Sequence, residues 1–169
     1  MADVAPMQLL THIDVRVNQC ADADMVHVIE SNLLRDLQAA SGVRDYVPLA
    51  VAARSHDGRL LGGLIGSTSY GWLLIKMLWV EEGVRSRGLG TLLMRRAEQE
   101  AVHRQCHAAW LDTSSARARQ FYEKLGYRLF GRLANVAEEK PAGHFRHFLC
   151  KRLCGAPDEA VHAREELQP

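Results

Sequence analysis

The chain has 169 residues, of which 47% are apolar, and 21 Lys and Arg stand against 20 Asp and Glu for a formal charge of +1. That size fits one domain with a real core, and the even balance excludes a broad field for steering nucleic acid or an anionic membrane, so any basic site must be local. No run approaches the roughly 18 apolar residues of a membrane span, and the N-terminus lacks the basic-then-apolar layout of a signal peptide, which predicts a soluble, cytoplasmic protein.

Residues 9–17 alternate, with Ile13, Val15 and Val17 on one face, and predict an opening strand. Residues 18–24 are polar and rich in capping side chains. Over 25–40, Met25, Val28, Ile29, Leu33, Leu34 and Leu37 recur at three- and four-residue steps, an amphipathic helix with a stripe to bury, ended by Ser41-Gly42. Residues 47–54 and 59–67 are short apolar runs around His56-Asp57-Gly58, a hairpin signal; 72–80, after Tyr70-Gly71, completes a three-stranded meander. The helical period returns over 88–104 through Leu89, Leu92, Leu93, Ala97, Ala101 and Val102. A strand over 108–113, a helix over 116–125 closed by Gly126, and strands over 127–133 and 145–153 follow. Residues 1–154 thus read as a single domain, and 155–169 as an acidic, mobile tail.

Four cysteines (Cys20, Cys106, Cys150, Cys154) form no C-x-x-C, which argues against a zinc ribbon or a redox pair. His144 and His147 are the nearest histidine pair. On a strand they face opposite sides, so no metal site is expected.

The chemistry concentrates after the third strand of the meander. Leu78-Trp79-Val80 ends a strand, Arg85-Ser86-Arg87-Gly88-Leu89-Gly90 forms a loop, and Thr91 continues into a helix. A helix N-terminus leaves its first N–H groups unpaired at the positive end of the macrodipole, which suits a pyrophosphate, and glycine lets phosphate oxygens approach the backbone. Arg85 and Arg87 either add charge to that contact or face solvent. A glycine-rich turn without a ligand is the competing reading. A P-loop is excluded because Leu89 stands where lysine is required, and the dinucleotide fingerprint fails because Leu93 stands three residues after Gly90.

The series L-W-V, R-S-R-G-L-G, L-D-T, F-Y-E-K-L-G-Y and G-H-F-R-H-F-L resembles the GNAT family of N-acetyltransferases over residues 60–153, with a fainter likeness to its antibiotic-modifying, aminoglycoside-type members. The resemblance implies an α+β, three-layer fold, with a mixed, mostly antiparallel sheet of about six to seven strands flanked by helices, and acetyl-CoA as acyl donor. It also implies that Leu78, Trp79 and Val80 pair with the pantetheine arm and that Arg85 to Thr91 hold the pyrophosphate. Tyr122 is implied near the thioester sulfur, where a phenol can donate a proton to the leaving thiolate; a core aromatic is its alternative role. Ser115 departs from the family's asparagine and either contacts the cofactor or caps the following helix.

For the acceptor, Asp112 either binds the substrate ammonium and relays its proton or caps the next helix. Lys76 replaces the acidic residue common in similar members and leaves the base unassigned. Tyr46, Tyr70 and Trp72 near strand ends, with Glu30 and Asp36 on the first helix, are candidate acceptor contacts, set against ordinary surface roles. No cysteine sits in a nucleophile motif, so the expected reaction is direct attack in a ternary complex by a small-molecule primary amine, such as an aminoglycoside-type antibiotic. The alternatives are a protein or peptide acceptor, or a non-catalytic acetyl-CoA sensor. Nucleic-acid and membrane partners are not expected, and a homodimer stays open.

Overall fold

A computed structural model describes residues 13–20, 22–42 and 45–153; the tail 155–169 and residues 9–12 of the expected opening strand lie outside them. The chain divides into one unit up to Arg44 and another from Asp45.

In the first unit, helix α1 (Ala23–Ser41) starts at Asp22, whose carboxylate accepts the Met25 N–H at 2.6 Å, and ends at Gly42, which takes a left-handed φ of 72° and donates its N–H to Gln38. Residues 13–17 do not form the strand that their alternation predicts. They have no regular structure, and Val15 and Val17 are 87% and 98% exposed. Alternation marks the face a strand would have, but a strand is stabilised by a paired neighbour, and these residues have none among those described. The apolar stripe of α1 is likewise less buried than its period predicts, with Val28, Ile29 and Leu33 exposed. A period shows which side chains share a face, not what covers them.

Among the described residues of the second unit, six strands form one sheet: β1 (Val47–Arg54), β2 (Leu60–Ser69), β3 (Trp72–Val80), β4 (Ala108–Thr113), β5 (Arg128–Ala134) and β6 (Phe145–Arg152). Their order is β1-β2-β3-β4-β6-β5. The β3–β4 pair is parallel and the others are antiparallel, the mixed α+β sheet expected from the sequence. Tyr70 and Gly71 both take positive φ (48° and 76°) in the two-residue turn from β2 to β3, the backbone twist that tight hairpins favour.

Helix α2 (Leu89–His103) makes the crossover from β3 to β4, and α3 (Ala116–Lys124) links β4 to β5. Met94, Ala97 and Ala101 of α2 pack with Leu49, Leu64, Leu73, Ile75, Leu111 and Leu149 of the sheet into a core that also takes in Tyr122 and Tyr127. At its edge the Tyr127 hydroxyl donates to Glu98 at 3.0 Å, and Lys151 reaches the other carboxylate oxygen at 2.7 Å, which ties α2 to β6. No helix among the described residues is long and apolar enough to cross a membrane.

Candidate active site

Two irregularities in β3 create the site. Against β2 the ladder pairs Ile75 with Gly66 and then Met77 with Ile65, which leaves Lys76 as an extra, bulged residue. A Cβ on Gly66 would run into the Leu74 carbonyl oxygen, so the bulge requires a glycine on the neighbouring strand. A bulge bends and twists its strand, and β3 parts from β4 at this point. The parallel ladder ends at Ile75 and Leu111; β3 runs on to Val80 against β2, while β4 runs on to Thr113 against β6. The strands splay, and residues 76–80 keep a backbone edge with no strand partner on the β4 side among the described residues.

A cleft of about 410 Å³ opens there, bordered by Ile75, Lys76, Met77, Leu78, Trp79, Asp112, Thr113, Ala118 and Tyr122. Leu78 lies opposite the buried Leu64 and packs against the core, whereas Met77 and Trp79 alternate to the other face and stand about half exposed (53% and 48%).

Beyond Val80 the chain passes a 3-10 turn (Glu82–Val84) into α2. The Arg85 Nε donates to the Val80 carbonyl at 2.9 Å, so this guanidinium braces the loop on the end of β3. Ser86 and Gly88 both take left-handed φ (62° and 86°). Gly88 is the N-cap of α2, and a Cβ there would meet nothing within 4 Å. The helix therefore opens on free space, into which the N–H groups of its first turn, from Leu89, Gly90 and Thr91, have no intrahelical acceptor. Arg87 is exposed beside it and has no ion-pair partner among the described residues. These groups fit a diphosphate. Gly90 has a different reason to be glycine: a Cβ there would sit 3.3 Å from the Phe121 ring of α3.

Phe121 thus turns to α2 while its neighbour Tyr122, 8% exposed, borders the cleft. Burial, and secondly the Asp112 carboxylate, push the Tyr122 phenol above its ordinary 10.0. At neutral pH the side chain is a protonated hydrogen-bond donor. Asp112 does not cap α3. Its carboxylate lies 2.8 Å from the Arg146 Nε, and the cap is Ser115, whose hydroxyl accepts the Ala118 N–H at 3.2 Å. Thr113 supports that corner by accepting the Ser115 N–H at 3.1 Å.

The expected acceptor aromatics are not at the cleft. Trp72 pairs with Ala108 where β3 and β4 still run together, and packs edge-on to His107 at 5.2 Å; Leu78 lies roughly 20 Å farther along the strand. Tyr46 precedes Val47, which pairs with Thr68, and the Tyr70 N–H donates to Asp45 at 2.5 Å. All three gather at the end of the sheet away from the splay, because a strand-end position in sequence does not say which end carries the site. Glu30 and Asp36 are exposed on α1 in the first unit, Asp36 lying 3.7 Å from the neighbouring Arg35. Conversely, Gly66 and Arg146 shape the site without having been singled out in the sequence. A glycine inside a strand pattern is a signal for a bulge, which Gly66 carried; nothing local marked Arg146.

A family model described as the Acetyltransferase (GNAT) family matches residues 22–127. Blasticidin-S acetyltransferase of Streptomyces morookaense is 37% identical over 105 residues, 62% of this chain and 74% of that protein. Among solved structures, a protein from Agrobacterium tumefaciens assigned as an acetyltransferase superposes with a TM-score of 0.72 at 31% identity, covering 83% of this chain and 99% of its own. An aminoglycoside 6'-acetyltransferase type Ii superposes with a TM-score of 0.56 at 29% identity, covering 65% and 72%. The chain belongs to the acetyltransferase (GNAT) family of acetyl-CoA-dependent N-acetyltransferases.

Proposed function

We propose that the chain acetylates a primary amine of a small, antibiotic-type molecule by direct attack in a ternary complex, residues 1–154 acting as one cytoplasmic transferase domain. The observation that carries this reading is the splay of β3 from β4 at Ile75 and Leu111, with Tyr122 at its border. Bound acetyl-CoA supplies the acetyl group as a thioester. The free edge at Leu78, Trp79 and Val80 orients the pantetheine amides by strand-like hydrogen bonds. The first turn of α2, with Ser86, Gly88 and Arg87, holds the pyrophosphate, and Arg85 keeps that loop in place through Val80. Ser115 acts as a helix cap beside the cofactor path.

The neutral amine nitrogen bonds to the carbonyl carbon, Tyr122 gives its proton to the sulfur as the C–S bond breaks, and the proton that the new amide nitrogen sheds to water replaces the one Tyr122 gave up. Asp112, steadied by Arg146 at 2.8 Å, attracts the acceptor's ammonium, which gives one proton to water to become the attacking amine. Antibiotic acetyltransferases among the relatives support an acceptor of that type, with aminoglycosides as one class in it.

The test is CoA release over a panel of aminoglycosides, nucleoside antibiotics, polyamines, amino acids and peptides. Turnover of a small amine that falls about 10²–10⁴-fold in Tyr122→Phe, with acetyl-CoA still protecting the variant against heat, is expected. Protection by acetyl-CoA without turnover of any amine would leave a sensor and sink the enzyme.

A further inference from the structure

We infer that the acceptor carries a carboxylate beside its amine and that Lys76 is the residue that reads it. The inference deepens the transferase reading and rests on it. Lys76 is the bulged residue of β3, placed where that strand leaves β4, and it borders the cleft. It is exposed and has no carboxylate partner among the described residues.

The other charges at this place offset each other, since Asp112 is held by Arg146 at 2.8 Å. Tyr122 is neutral, its phenol raised above 10.0 by burial. Among the described residues, one uncompensated positive charge therefore remains where the acceptor must enter. A purely cationic acceptor, an aminoglycoside included, meets repulsion there, so the inference narrows the antibiotic-type acceptors to those that also carry a carboxylate. A zwitterionic amine sets its carboxylate on Lys76 and its ammonium toward Asp112, with Met77 and Trp79, both about half exposed, beside its apolar body.

The geometry also separates this charge from the donor. Lys76 and Arg87 lie at opposite ends of the free edge and its following loop, so a change at Lys76 leaves pyrophosphate binding alone.

Matched pairs test this: phenylalanine with phenylalaninamide, and 4-aminobutyrate with 4-aminobutyramide. Each is assayed for CoA release and, on the CoA-bound protein, for binding by intrinsic tryptophan fluorescence. The wild type is expected to favour the carboxylate of a pair about tenfold in kcat/KM or Kd. Lys76→Gln should abolish that preference and Lys76→Glu reverse it, while acetyl-CoA protects all three proteins equally against heat. Equal handling of both members by the wild type in both readouts, including no response to either, overturns the inference, as does a preference that survives Lys76→Glu. Carboxylate-selective binding without any turnover would support it while sinking the transferase reading.

Discussion

The Arg146 Nε stands 2.8 Å from the Asp112 carboxylate, and that carboxylate in turn adds to the proton affinity of the Tyr122 phenol. One residue thus links an exposed cation to the buried phenol. Asp112→Asn should lower the Tyr122 pKa yet leave it above 10.0, because burial is the larger cause. Alkaline ultraviolet titration, with Tyr122→Phe as the reference, reads that change; an unmoved midpoint would remove Asp112 from the site's electrostatics. The lost ion pair itself should cost at most about 1 kcal/mol, since the Arg146 side chain is 56% exposed.

Tyr127 and Tyr122 both have phenols raised by burial, and Glu98 raises Tyr127 further. A folded-state pKa above the unfolded one means that the stabilisation is complete below pH 10 and disappears as pH climbs through the folded values. Urea denaturation should therefore show this contribution flat up to about pH 10, then falling by roughly 1.4 kcal/mol per pH unit for each tyrosine. Tyr127→Phe should lose about 1–2 kcal/mol at neutral pH with its hydrogen bond to Glu98, and its decline above pH 10 should be about half as steep.

Gly66 and Gly88 should fail differently when changed to alanine. At Gly66 the new Cβ meets the Leu74 backbone across the bulge, so Gly66→Ala should cost about 1–3 kcal/mol and abolish acetyl-CoA protection by straightening β3. At Gly88 the space is open and only the left-handed φ of 86° resists. Gly88→Ala should cost about 1–2 kcal/mol and weaken acetyl-CoA binding while the sheet keeps its circular-dichroism signature.

The two loop arginines should separate by their readouts. Arg87→Ala removes a cation that has no ion-pair partner among the described residues, so KM for acetyl-CoA should rise by about tenfold with Tm unchanged. Arg85→Ala also frees the Val80 carbonyl, and should lower Tm as well as raise KM. Equal thermal effects of the two changes would contradict the bracing role.

The local elements were legible in the sequence where short-range rules suffice. The hairpin glycines, the helical period of α2, the glycine that closes α3 and the glycine-opened loop at residues 85–90 each follow from backbone sterics or from one repeating face. The R-S-R-G-L-G and F-Y-E-K-L-G-Y segments carried the family resemblance for the same reason, because a helix N-terminus and a helix closed by glycine are set by residues close in the chain. Tertiary structure alone decided the rest. Residues 13–17 alternate but have no strand beside them among the described residues, Tyr46, Tyr70 and Trp72 fell at the end of the sheet away from the splay, and Asp112 was taken by Arg146 from two strands later in the chain. Strand pairing, splay and cross-strand charge depend on residues far apart in sequence. A one-residue bulge at Lys76 opposite Gly66 is enough to set them.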